Sequence, residues 1–160
     1  MAMNELSMRL WRERELLEML LFKLDVQRLL LAAGDGRWLH FATDEIEHVL
    51  DRMREATIAR VVEATAVAQE WGAPEEATLV ELVEHAPTDA WREVFSEHLR
   101  ALTQLVAEIS QRRDVNLQQL NAVLRTTQEA IVGTGAVTGE YTTGGARARD
   151  DAARIVDTRM

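Results

Sequence analysis

Between Asn4 and Ala33 the chain has neither proline nor glycine, and leucine returns every seven residues at Leu10, Leu17, Leu24 and Leu31. A strand alternates its faces with period 2, whereas a helix brings residues seven apart back to one side. The spacing therefore predicts a long amphipathic helix and excludes a strand. Leu6, Leu20 and Leu21 widen the stripe, while Arg9, Arg12, Glu13, Glu18, Lys23 and Arg28 lie largely off it. At 1.5 Å rise per residue, a helix of about 30 residues is roughly 45 Å long. Its leucine face has to be covered, either by other helices of the same chain in an antiparallel bundle or by a second copy as a homodimer.

The rest of the chain supplies such helices. Gly34-Asp35-Gly36 offers a left-handed C-cap and an N-cap for a second helix, so a tight αα-hairpin is expected there. That second helix is expected over 37–70, carrying Trp38, Leu39, Ala42, Ile46, Val49, Leu50, Met53, Ile58, Val61 and Val62, and Gly72 ends it. Pro74 with Glu75 and Glu76 reads as the start of a short third helix that stops before Pro87. Thr88 is a suitable N-cap for a fourth helix over 88–132, with a stripe from Trp91 and Phe95 to Leu124 and Ile131. The polar run Gln111-Arg112-Arg113-Asp114 interrupts that stripe. Ala, Leu, Glu, Arg and Lys make up 78 of 160 residues, a composition typical of long helices. The expected fold class is all-α: an elongated antiparallel hairpin or bundle of three long helices plus one short one. Residues 1–132 form the helical domain. Residues 133–160 are rich in Gly and Thr and too poor in apolar side chains to offset ordering entropy, so they are expected to be a flexible tail.

Several function classes fall away on composition and spacing. Net charge is −9, all of it within residues 1–132, which opposes non-specific nucleic-acid binding. Only nine residues precede Leu10, too few for the basic helix of a DNA-binding zipper. There is no cysteine, hence no disulfide, thiol nucleophile or cysteine-based zinc site. No basic segment followed by an unbroken apolar run opens the chain, and no apolar run is long enough to span a bilayer; a cytoplasmic protein with no stable membrane insertion is expected. His40, Asp44 and His48 share a helical face and Glu45-x-x-His48 matches half of a di-iron motif. The second half is missing, because Leu82 and Phe95 stand three residues before His85 and His98. Ser7, Ser96 and Ser110 all fall in predicted helices without a nucleophile elbow, and Gly133-Thr134-Gly135 follows a helix rather than a strand. No catalytic residue, metal or cofactor is expected. Trp38 and Trp91 at helix starts, with Trp11 and Trp71 near helix ends, read as caps of the bundle or as partner contacts.

This layout resembles the FlgN-like flagellar export chaperones. The first long helix ends in Leu30-Leu31-Ala32-Ala33-Gly34-Asp35, and the last contains Asn116-Leu117-x-x-Leu120-Asn121-x-x-Leu124. A Gly/Thr-rich segment with the only tyrosine, Tyr141, follows. The resemblance implies a cytosolic type III export chaperone. Such a protein binds C-terminal helices of hook–filament junction proteins, keeps them soluble and delivers them to the export apparatus. It also implies that Tyr141 contacts the export-gate platform. For the Arg/Asp-rich end beyond Tyr141 it offers no role. A client groove is expected on the fourth helix beyond its polar interruption, at Leu117, Leu120, Leu124 and Ile131. The competing expectation is a homo-oligomeric coiled-coil scaffold or adaptor that associates through the first helix.

Overall fold

The structure, a computed structural model, describes the backbone of residues 2–157 and the side chains of residues 2–135. The described residues are all-α: α1 Ala2–Ala32, α2 Leu39–Trp71, α3 Leu79–Glu84 and α4 Asp89–Asp157. The chain divides into two units, residues 1–117 and 118–160, and α4 contributes to both.

In the first unit α1 runs up, α2 down and α4 up again. Near one end, Leu6 and Leu10 of α1 meet Val67 and Ala68 of α2, Leu82 of α3 and Phe95 of α4 in a buried cluster. Towards the other end, Leu20 and Leu24 pack on Val49, with Ile46, Met53 and Ile109 against them. All four heptad leucines of α1 are buried, from Leu10 at 0% to Leu31 at 9% exposure, so the stripe is covered within its own chain.

The turns arise from local chemistry. Gly34 sits at φ +66°, where a Cβ is strained, and the Asp35 N–H donates to Leu30 O (3.1 Å) while that of Gly34 donates to Leu31 O (3.2 Å). This is a Schellman stop, and Gly72 at φ +66° repeats it with Ala73 N–H donating to Ala68 O (2.9 Å). Asp35 Oδ1 accepts from Arg37 N–H (3.3 Å) and so holds the turn; α2 itself starts at Leu39, two residues later than expected. Pro74-Glu75-Glu76 also departs from expectation. It forms a turn closed by Ala77 N–H to Pro74 O (2.9 Å), and α3 begins after Thr78 instead. Thr78 and Glu81 cap each other: Glu81 N–H donates to Thr78 Oγ1 (3.3 Å) and Thr78 N–H to Glu81 Oε2 (2.7 Å). The backbone bond, then the hydroxyl bond, hold the Glu81 carboxyl below its ordinary pKa. Thr88 caps α4 as expected, accepting from Trp91 N–H (3.3 Å).

Glu13, expected off the leucine stripe, is buried and paired with Arg60 of α2 at 2.9 Å. Glu13→Ala is expected to lower unfolding free energy by about 2 kcal/mol, measured by urea denaturation. Losing one partner of a fully buried pair costs about 3–5 kcal/mol, and Arg60 keeps 30% of its side chain in water.

In the second unit α4 remains helical through Gly133, Thr134 and Gly135. The Thr126, Thr127 and Thr134 hydroxyls donate to carbonyls four residues back (2.8–3.0 Å). The rest of the segment expected to be a tail, with Tyr141, lies outside the residues whose side chains are described.

Candidate functional site

In the first unit buried positions of α4 extend as far as Asn116, one residue before the predicted stripe. Asn116 is 2% exposed, and its Nδ2 donates to Leu24 O and to Gln27 Oε1, both at 2.9 Å. Gln27 reaches on to Thr43 Oγ1 of α2 (3.4 Å), so a buried polar layer ties three helices. The interruption just before it does not break the packing, because Arg112 pairs with Asp25 of α1 at 3.0 Å. Next in sequence, Leu117 is 49% exposed, Leu120 is half-buried, and Leu124 and Ile131 are 56% and 65% exposed. Every described side chain from Asn121 to Gly135 is exposed, including Val123 and Val132. In the second unit Leu120, Leu124 and Ile131 thus fall on one helical face, half-buried at Leu120 and exposed at Leu124 and Ile131.

Only two side chains of this stretch, Arg125 and Glu129, are charged. The surface offers shape and apolar area rather than acid–base or nucleophilic groups. It can hold another amphipathic helix.

The histidines take other positions. His98 is buried at the α1–α4 seam, with Nε2 3.0 Å from Ser7 Oγ and Nδ1 3.5 Å from Arg14 Nη1. Arg14 can only donate, so Nδ1 accepts, and Nε2–H donates to Ser7. Burial first, and the Arg14 charge second, lower the His98 pKa. A group held neutral in the fold stabilises above its unfolded pKa, and that contribution is lost as pH falls. Melting temperature is therefore expected to drop below about pH 6.5, and His98→Gln to flatten that part of the profile. His48 lines an open groove between α1 and α2 with Met19, Phe41 and Val49, beside the Lys23–Glu45 pair at 2.9 Å. His40 lies against Phe41 with ring centroids 4.0 Å apart. Among the described residues no group of three His, Asp or Glu is placed to hold a metal ion.

The tryptophans divide. Trp71 and Trp91 pack on Phe95 at 5.5 and 5.7 Å and close the core at that end. Trp11 and Trp38 stay about half exposed, under the Arg14 and Arg37 guanidinium groups. Sequence reasoning passed over a second row on α1. Met8, Phe22 and Leu29 are exposed on the side away from the core, and their seven- and fourteen-residue spacings were the signal.

Among the described residues, no helix is long and apolar enough to cross a membrane. No curated protein and no solved structure matched the chain. The model of one protein family, described as FlgN protein, matches residues 1–145. With nearly the whole sequence matched and an all-α body to go with it, the chain belongs to the FlgN family, a family of flagellar export chaperones and not of enzymes.

Proposed function

We propose that this protein is a cytosolic type III export chaperone that binds C-terminal helices of hook–filament junction proteins, keeps them soluble and delivers them to the export apparatus. The client lies along Leu117, Leu120, Leu124 and Ile131. One observation carries this reading: the leucine face of α1 is buried in its own chain, whereas the apolar side chains Leu117, Leu124 and Ile131 of α4 past Asn116 are exposed. An unexported subunit whose apolar helices would self-associate needs such a cover. The homo-oligomeric scaffold reading loses support from the same observation, since the α1 seam it relied on is already occupied. Titrating the chain with the C-terminal segment of a hook–filament junction protein tests the proposal. A saturable complex that keeps the segment in solution is expected; no complex with any such segment overturns it.

Tyr141 is proposed to contact the export-gate platform. An apolar ring with a polar tip suits anchoring in a partner's pocket, and the Gly/Thr-rich residues around Tyr141 include no other aromatic side chain. Tyr141→Ala is expected to leave client affinity within about twofold and to weaken platform binding by about tenfold or more, reducing motility, as loss of an aromatic anchor costs on the order of 1–2 kcal/mol. Normal platform binding by the variant would remove the role.

A further inference from the structure

We infer that the exposed half of α4 selects an amphipathic helix whose flanks carry no charge, and discriminates against one flanked by Lys and Glu. The inference rests on α4 being the client surface and adds the chemistry of what it accepts. Residues 89–114 of α4 hold nine Asp, Glu or Arg side chains; residues 115–135 hold only Arg125 and Glu129. At 100° per residue these two lie one turn apart, outside the stripe and the positions that border it. The positions beside Leu120 and Leu124 are Asn121 and Gln128 on one edge and Val123 and Ala130 on the other.

In paired helices the residues beside the apolar seam choose the partner. Charges there attract their opposites and reject their likes. Here those positions present amides on one edge and aliphatic side chains on the other. A partner with Lys or Glu at its flanks would bring charge against groups that cannot neutralise it, and would lose hydration without gaining an ion pair. A partner flanked by Gln, Asn, Ser or Ala meets matching amides and small side chains. The contact then has no ion pair for salt to screen, although the rest of the body is strongly acidic.

The test uses the full chain and two designed amphipathic peptides of about three heptads. Both carry the same leucine seam; one has Gln, Asn and Ser at the flanks, the other alternating Lys and Glu. The uncharged peptide is expected to bind at least about tenfold more tightly, with affinity changing less than about twofold between about 0.05 and 0.5 M NaCl. Leu124→Asp should abolish that binding. Equal binding of both peptides, lost in Leu124→Asp, overturns the selectivity and leaves α4 as the surface. Binding of neither overturns both. Dimers of the free chain that the uncharged peptide fails to dissociate would assign the face to a second copy, and also overturn the inference.

Discussion

Leu124→Asp is expected to remove client binding while leaving the stability of residues 1–117 unchanged within about 0.5 kcal/mol. The separation comes from exposure. In the free chain Leu124 is 56% exposed, so an aspartate there stays hydrated. Under a bound helix the same carboxylate would be buried without a donor, at a cost of several kcal/mol or the cost of protonating it. About 3 kcal/mol corresponds to a loss of more than a hundredfold in affinity. Leu120→Asp should act alike, with a small stability cost because Leu120 is half-buried. Calorimetric titration with a hook–filament junction segment, alongside thermal melts of each variant, reads both quantities. Undiminished binding by both well-folded variants would move the client surface elsewhere, with the exposed α1 row of Met8, Phe22 and Leu29 the next place to look.

Phe95→Ala is expected to produce the largest stability loss, about 3–5 kcal/mol. Phe95 is fully buried and meets Leu6, Leu10, Val67, Ala68 and Leu82, so it joins all four helices at one point. Its ring also packs on Trp71 at 5.5 Å and Trp91 at 5.7 Å. Truncation removes the ring's burial and leaves a cavity that helices fixed by other contacts cannot fully close. A domain of this size has roughly 5–15 kcal/mol in total, so the variant should sit near the edge of folding. In urea, the midpoint followed by tryptophan fluorescence should fall sharply with little change in slope. A loss below about 1 kcal/mol would mean that this end of the bundle repacks freely.

What the sequence made legible was what local pattern decides. The leucine period located the buried face of α1, and Gly34 and Gly72 marked stops because left-handed backbone favours glycine. Two local signals competed at the start of α3. Pro74-Glu75-Glu76 has the order of a helix start, but Thr78 and Glu81 satisfy each other reciprocally, and that pair sets the boundary. Glu13 was misread because a charge belongs outside by default, and its partner Arg60 is 47 residues away. Asn116 was visible in the sequence as part of a motif. Its work as a buried donor depends on Leu24 and Gln27, which no spacing rule joins to it. The stripe from Leu117 to Ile131 was readable as apolar, but its exposure is a three-dimensional property.

The order of the helices also imposes an order in time. Gln27 meets Thr43 across 16 residues and Lys23 meets Glu45 across 22, whereas α4 joins α1 through Ser7–His98 and Leu24–Asn116, across 91 and 92. Closing the longer loop costs about 1.5 kcal/mol more in chain entropy, so the hairpin can zip from its glycine turn before α4 docks. Synthesis from the N-terminus points the same way: the leucines of α1 find α2 before Leu117 to Ile131 have been made. The apolar face left open for another protein is thus added after the chain's own leucine seam can already have closed.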